Sequence, residues 1–302
     1  MTILRARVLG FCMGVRRAVE LTTVQAKKAA EEGSHLFTLG HLIHNPQVLA
    51  DLEKNKVITL KQDSFEQIQK KGKNCCVIIR AHGISPETEK KLRGTGCAII
   101  DATCPNVKKN QLKTQELSRA GYSLFLAGES AHAEIEGIMG YTSSAPFCKA
   151  VIDKEQAQDA AFALYQINSN AKTALIGQTT ISEEEYVNIG NEIKKYFPNL
   201  EIVNTICSAT AERQQALREL LYFAEAVIIA GGKESANTRR LLLIAQESGK
   251  PCAMVERPEE IPENFYSFNT IGISAGASTP DSLIDEIEKT LAEAQSRKVP
   301  VR

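Results

Sequence analysis

The sequence of 302 residues contains no tryptophan, and aromatic residues make up only 6% of it. Proteins that bind single-stranded nucleic acid stack the bases on aromatic side chains, so this composition does not favour that role. The charges also cancel, with 36 lysines and arginines against 36 aspartates and glutamates. A balanced chain lacks the basic surface that attracts nucleic acid or an anionic membrane, and an anionic ligand must therefore be bound by local groups.

Long apolar runs are absent as well. No stretch approaches the roughly 18 consecutive apolar residues that suggest a membrane-spanning helix. The first ten residues carry arginines inside a short apolar run and not ahead of one, which is unlike a secretory signal. The sequence therefore predicts a soluble cytoplasmic protein with no membrane partner. Its eight cysteines are expected to be thiols, metal ligands or nucleophiles and not disulfides.

A short phrase recurs nine times along the chain. It consists of a β-branched or apolar run, then small and polar residues, then a stretch of helix-forming residues. Proline at the first helical position after Ser85 and Cys104 marks two of the helix starts. Strands that alternate with helices predict an α/β protein with mainly parallel sheets.

Cysteine ends three of these phrases, and two further phrases follow each of these cysteines. The spacing is about a hundred residues, close to thirds of the chain, which predicts three similar α/β domains. The predicted bounds are 14–104, 105–203 and 204–302. Ligands of parallel α/β sheets bind beyond the carboxyl ends of the strands, so the residues that close the phrases are expected to meet in one central cleft.

The three cysteines, Cys12, Cys104 and Cys207, each precede a stretch of helix-forming residues. A helix N-terminus stabilises the thiolate, which is the form that binds metal or attacks carbon. For one position alone, a buried or capping cysteine is the simpler interpretation, but three matched contexts favour a common site. Three converging thiolates suit either a catalytic zinc ion or a 4Fe-4S cluster with one iron left free, and the spacing leaves both open.

Histidines close three other phrases, at His44, His82 and His132. A lone histidine is as often structural as functional, but each of these shares its position with the candidate site. Glu134 lies two residues beyond His132, where a carboxyl group in a closed pocket can donate a proton; a solvated acid in the first helical turn is the alternative. Thr179 can orient or relay that proton, or it can simply cap a helix.

Two loops rich in small residues, GGKESAN and SAGASTPD, are typical of anion-binding loops. Ser235, Asn237 and Ser278 add hydrogen-bond donors near predicted helix starts. Neither loop is a Walker motif and no GxGxxG occurs, and each loop taken alone also suits a simple turn of the chain. Together with the histidines, and without a cluster of lysines or arginines, they predict a small phosphate or diphosphate ester as the ligand.

The ordered set of these motifs resembles a known family. The motifs are GFCMGVRRA, LIHNPQV, RAHGIS, DATCPNV, AHAEIEG, GQTT, ICSATAERQ, GGKESANTRRL and AGASTPD. In this order they are similar to 4-hydroxy-3-methylbut-2-enyl diphosphate reductase, the IspH or LytB family, and the resemblance covers nearly the whole chain. This family catalyses the last step of the methylerythritol phosphate route to isoprenoids, in which an allylic hydroxyl group is lost by reduction.

The resemblance implies a role for each candidate residue. Cys12, Cys104 and Cys207 would hold a 4Fe-4S cluster whose fourth iron binds the substrate's hydroxyl oxygen. Glu134, helped by Thr179, would deliver the proton that turns the hydroxyl group into water, next to His132. The diphosphate would be bound by His44, His82, His132, Thr179, Ser235, Ala236, Asn237 and Ser278. The implied fold has three α/β domains around a pseudo-threefold axis, with residues 1–13 completing the third domain.

One departure from the family and two alternatives follow from the sequence. Many members read Ser-Ser-Asn where this chain has Ser235-Ala236-Asn237, so one hydroxyl donor to the diphosphate is missing. No flavin or nicotinamide motif is present, so a separate electron carrier such as ferredoxin or flavodoxin is expected to dock. The alternatives are a three-cysteine zinc hydrolase and a redox sensor that binds a phosphometabolite.

Overall fold

A computed structural model of the chain describes residues 1–61 and 64–298. The strands are β1 (Thr2–Arg5), β2 (His35–Leu39), β3 (Val57–Leu60), β4 (Cys75–Ile79), β5 (Ala98–Asp101), β6 (Ser123–Ala127), β7 (Cys148–Val151), β8 (Thr173–Gly177), β9 (Glu201–Ile202), β10 (Ala226–Ala230), β11 (Cys252–Val255) and β12 (Thr270–Ala275). They form three four-stranded sheets, in the orders β3-β2-β4-β5, β7-β6-β8-β9 and β11-β10-β12-β1.

Helices follow most of the strands. They are α1 (Met13–Glu32), α2 (Pro46–Lys54), α3 (Phe65–Lys71), α4 (Pro86–Gly94), α5 (Pro105–Arg119), α6 (Ala133–Met139), α7 (Lys154–Ile167), α8 (Glu183–Lys194), α9 (Ser208–Phe223), α10 (Ala236–Glu247) and α11 (Asp281–Lys298). Two short 3₁₀ helices cover Pro258–Glu260 and Glu263–Ser267. No described helix is both long enough and apolar enough to cross a membrane.

All pairings between neighbouring strands are parallel in the described sheets. The central strands β6, β8 and β10 are buried along their whole length, which fits parallel strands that are covered by helices on both faces. The prediction of an α/β fold with three similar parallel sheets is therefore confirmed. The pseudo-threefold axis and the central cleft stay predictions.

The three sheets share one strand order. In each described sheet the strand that precedes a predicted cysteine lies at one edge and pairs with a strand that leads into a polar loop of the candidate site. The N-terminal strand β1 takes this edge position beside β12, with Thr2 opposite Thr270. Identical order in all three sheets means that equivalent loops follow equivalent strands.

The chain divides into two compact units. One unit contains residues 1–16, 43–51 and the chain from Ser208 onward, and it holds the sheet of β1, β10, β11 and β12. The other contains residues 17–42 and 52–207 and holds the two remaining sheets. We call them the first and the second unit. The finer division into three domains, with bounds at 104 and 203, stays a prediction.

Candidate active site

None of the three predicted cysteines forms a disulfide among the described residues, and each is half-buried and directly precedes a helix. Cys12 precedes α1, Cys104 precedes α5 and Cys207 precedes α9. The first N–H groups of a helix carry a partial positive charge, which favours the thiolate that a metal requires. For Cys12 one of these groups is in contact, since the backbone N–H of Val15 donates to the sulfur at 3.5 Å.

A second feature common to the three cysteines is visible only in the structure. The backbone N–H of each cysteine donates a hydrogen bond to a carbonyl oxygen just beyond the end of the neighbouring strand. The bonds run from Cys12 to Ala277 at 3.1 Å, from Cys104 to Ala81 at 2.9 Å and from Cys207 to Thr179 at 3.1 Å. Each acceptor is, or directly precedes, a predicted substrate-binding residue. The backbone therefore links every candidate metal ligand to one candidate substrate contact.

Glu134 is 1% exposed, in the first turn of α6. Thr179 donates two hydrogen bonds to its carboxylate, one from the backbone N–H to Oε1 at 2.8 Å and one from Oγ1 to Oε2 at 2.9 Å. Burial raises the pKa of Glu134 to about 7, and the two bonds from Thr179 oppose this shift without cancelling it. A carboxyl group with such a pKa can hold and donate a proton near neutral pH.

His132 caps the N-terminus of α6, and its Nδ1 accepts the backbone N–H of Glu134 at 3.2 Å. Because Nδ1 is an acceptor, the neutral ring carries its proton on Nε2. The ring of His82 lies edge-on to the ring of His132, with 5.3 Å between the centroids. The second unit thus brings together two of the predicted histidines. The Nε2–H group of His132 can donate a hydrogen bond to an anionic oxygen.

Arg80 supports this part of the site and was not predicted. It follows β4 and is buried, and its Nε donates to the backbone oxygen of Gly83 at 3.4 Å. Its guanidinium also lies 3.9 Å from the carboxylate of Glu136 in α6. Arg80 therefore connects the turn that carries His82 with the helix that carries Glu134. The signal in the sequence was an arginine directly after an apolar strand, in the motif RAHG.

In the first unit, Asn237 is a buried amide in the first turn of α10 and is 3% exposed. Neither its Oδ1 nor its Nδ2 has a hydrogen-bond partner among the described residues. Buried amide groups are normally satisfied, so this one is available for a polar ligand. Ser235 is the N-cap of the same helix, where its hydroxyl accepts the backbone N–H of Thr238 at 3.3 Å. Ala236 is the first helical residue.

His44 and the two predicted anion loops meet at one backbone oxygen. The hydroxyl of Ser278 donates to the carbonyl of His44 at 3.1 Å. A Cβ atom at Gly232 would lie 2.5 Å from the same oxygen, which is closer than such atoms approach. The second glycine of GGKESAN is therefore required for contact between this loop and the segment that carries His44.

Arg213 is a second buried arginine that was not predicted. Its Nε and Nη2 both donate to the backbone oxygen of Gly10, at 3.2 and 2.7 Å. These two hydrogen bonds hold the backbone at Gly10, two residues before Cys12. As with Arg80, the residue lies within one of the quoted motifs, ICSATAERQ, but no pattern in the sequence assigns it a contact.

Each unit carries part of the predicted site. The second unit holds Cys104, Cys207, His82, His132, Glu134 and Thr179. The first unit holds Cys12, His44, Ser235, Ala236, Asn237 and Ser278. The meeting of all twelve residues in one cleft stays a prediction.

Known proteins resemble the chain over nearly its whole length. The sequence model of the family described as LytB protein matches residues 3–292. A protein of Treponema denticola named 4-hydroxy-3-methylbut-2-enyl diphosphate reductase is 42% identical over 294 residues, which are 97% of this chain and 100% of the relative. A protein of Aquifex aeolicus with the same name is 38% identical over 292 residues, 96% of each chain.

Two solved structures are also similar. One is (E)-4-hydroxy-3-methyl-but-2-enyl diphosphate reductase, described as the terminal enzyme of the non-mevalonate pathway; it is 35% identical, with a TM-score of 0.69 over 97% of this chain and 100% of that chain. The other is the E-1-hydroxy-2-methyl-but-2-enyl-4-diphosphate reductase of Plasmodium falciparum, 25% identical, with a TM-score of 0.84 over 97% of this chain and 87% of that chain. With the family model matched over almost every residue, the chain belongs to the LytB protein family.

Proposed function

We propose that the chain reduces 4-hydroxy-3-methylbut-2-enyl diphosphate. The reaction takes up two electrons and two protons, releases the allylic hydroxyl group as water and yields isopentenyl diphosphate and dimethylallyl diphosphate. The observation that carries the proposal is the buried Glu134, held by two hydrogen bonds from Thr179 next to the donor His132. The names of the relatives favour this reaction over a zinc hydrolase or a redox sensor.

Membership of the LytB family makes the chain an iron-sulfur enzyme. The finer proposal is a 4Fe-4S cluster held by Cys12, Cys104 and Cys207, with one iron free of protein ligands. The three residues fit this group, because each is a half-buried cysteine that forms no disulfide among the described residues and directly precedes a helix. When bound, the cluster would supply the electrons and a Lewis acid at the reacting carbon–oxygen bond.

The chain's own residues manage the proton. Burial raises the pKa of Glu134 to about 7, so its carboxyl group holds a proton in about half of the molecules at pH 7 and can transfer it to the hydroxyl oxygen that leaves as water. Thr179 orients both carboxyl oxygens, which keeps the acid in one position. Once Glu134 is ionised, the same two bonds stabilise the carboxylate until it takes up another proton.

The diphosphate is assigned to neutral donors. His132 offers Nε2–H, Asn237 offers a buried amide without a partner among the described residues, and Ser235 and Ala236 lie at the start of α10. The N-terminus of that 12-residue helix favours an anion through its free N–H groups. His44, His82 and Ser278 complete the proposed set. Neutral donors fit the balanced charge of the chain.

The electrons must come from outside, and we propose a carrier protein such as ferredoxin or flavodoxin as the donor, with the cytoplasm as the place of reaction.

The test of the proposed function is anaerobic reconstitution with iron and sulfide, followed by an assay with the allylic diphosphate and a strong chemical reductant. We expect about four iron and four sulfide per chain, with many turnovers. A colourless protein with one zinc and no sulfide would refute the cluster. Product limited to one equivalent would indicate a sensor.

A further inference from the structure

The side chain of Asn106 contacts one of the candidate cluster ligands. It is the second residue of α5, two positions after Cys104, and it is half-buried. Its side-chain Nδ2 donates a hydrogen bond to the sulfur of Cys207 at 3.1 Å. Both residues lie in the second unit, so the contact connects the helix that follows one candidate cluster ligand with the sulfur of another.

The next turn of α5 supplies a comparison. Asn110 lies four residues further along the helix, and its Nδ2 donates to the backbone oxygen of Thr205 at 3.4 Å. Residues four apart lie on the same face of a helix, so two amide side chains reach the segment 205–207 from one direction. Asn110 binds the backbone of this segment, whereas Asn106 binds the sulfur itself. A role in holding the segment and a role at the sulfur can therefore be separated.

A donor at the sulfur has a distinct chemical consequence. Hydrogen bonds to the sulfur ligands are one of the factors that set the reduction potential of an iron-sulfur cluster. The donated hydrogen carries partial positive charge, so it stabilises the state in which the cluster and its thiolates hold more negative charge. That state is the reduced one. The contact from Asn106 therefore favours reduction.

We propose that Asn106 is a positioning residue that raises the reduction potential of the cluster through its hydrogen bond to Cys207. The inference rests on the proposed function, because it needs a cluster on Cys207. It concerns a side-chain donor, in contrast to Cys12, whose sulfur accepts a backbone N–H from Val15. Substitution can remove the donor at Cys207 without changing the backbone, which makes its contribution measurable.

Two variants remove the donor in different ways. Asn106→Leu keeps the approximate size of the side chain and deletes its hydrogen bonds. Asn106→Asp keeps the shape and places a carboxylate oxygen where the donor was. In the reconstituted protein, each variant should lower the equilibrium constant for one-electron reduction of the cluster by roughly tenfold, which lowers the reduction potential by about 59 mV. Asn106→Asp should show the larger effect. The measurement is a redox titration followed by electron paramagnetic resonance, and it does not depend on turnover.

Asn110→Leu is the matched control, since it removes an amide donor to the same segment without touching the sulfur. The reduction potential of the cluster in Asn110→Leu should equal that in the original protein. Equal potentials in both Asn106 variants and the original protein would overturn the inference, as would an equal shift in Asn110→Leu. Loss of iron from both Asn106 variants alone would also overturn it, because the residue would then hold the ligand in place. If the original protein binds no cluster, the proposed function fails with it, and that result is distinct from the others.

Discussion

Substitution of Glu134 by glutamine tests the proposed acid with little change of shape. The glutamine Oε1 can accept the backbone N–H of Thr179, as the carboxylate does at 2.8 Å. The amide Nε2 can donate to Thr179 Oγ1, because a hydroxyl group also accepts hydrogen bonds. Glu134→Gln therefore preserves both contacts and removes only the proton that the carboxyl group carries.

The pKa of Glu134 gives the size of the effect. A carboxyl group with a pKa of about 7 is protonated in half of the molecules at pH 7. A solvated glutamate, with a pKa of about 4.3, would be protonated in roughly 0.2% of them. A general acid typically contributes about 10²- to 10⁴-fold to the rate. We expect Glu134→Gln to lower kcat/KM at pH 7 by at least about 100-fold. The original protein should show a decline of kcat/KM above about pH 7, and the variant should lack it.

The same pKa has a consequence for stability. The folded-state pKa, about 7, lies above the ordinary value of 4.5 in the unfolded chain. The stability that this group contributes is therefore fully present below about pH 4.5 and is lost as the pH rises through about 7. The loss amounts to about 3 kcal/mol. Glutamine does not ionise, so the difference in unfolding free energy between variant and original protein should change by that amount, in favour of the variant, from pH 4 to pH 8.

Two measurements check this prediction. Anaerobic steady-state kinetics between pH 6 and pH 8.5 gives the loss of rate and its pH dependence. Urea unfolding of the cluster-free protein at pH 4, 6 and 8 gives the pH dependence of the difference in unfolding free energy. Glu136→Gln, in the same helix and 48% exposed, is the control, with a change in stability below about 1 kcal/mol. The reasoning is refuted if Glu134→Gln keeps more than a tenth of the rate, or if its stability difference does not change with pH.

Three further substitutions address the contacts around the acid and the diphosphate. Thr179→Val removes the hydroxyl bond that lowers the pKa of Glu134, so the decline of kcat/KM should begin at a higher pH and the rate should fall. Ala236→Ser supplies the hydroxyl that many family members have, and steady-state kinetics should show a KM that is lower by roughly tenfold or more, since a hydrogen bond to a charged group contributes about 1.5 to 3 kcal/mol. Gly232→Ala forces a Cβ atom against the oxygen of His44; thermal unfolding should show a loss of roughly 2 kcal/mol, and KM should rise.

The sequence predicted nine of the strands, and the three that it missed share a position. They are β3, β7 and β11, and each lies at the edge of its sheet, opposite the edge strand that precedes a cysteine. Each is only four residues long and is exposed or half-buried at several positions. No polar loop with a candidate site residue follows them. The predicted strands β1 and β5 are equally short and no more buried, so the signal that the missed strands lack is the polar loop and not the strand itself.

The candidate site was predictable where the chemistry belongs to one side chain at a strand end. Cys104, His132 and Glu134 are of this kind, because their residue types and their places after apolar runs are visible in the chain. Arg80 and Arg213 were not predictable in the same way. Each is buried and acts by donating to a backbone oxygen, of Gly83 or Gly10, and such a partner has no residue-type signature.

The backbone bonds of the three cysteines connect the two halves of the proposed chemistry. Each bond joins a candidate cluster ligand to the loop after the neighbouring strand, which carries His82, Thr179 or Ser278. A displacement of the ligand must therefore move the substrate loop or break the bond, whose loss in a buried place costs about 1 to 3 kcal/mol. The same strand order in all three sheets gives this link three times. A cluster held by these distant cysteines would thus depend on the same strand ends that carry the proposed substrate contacts.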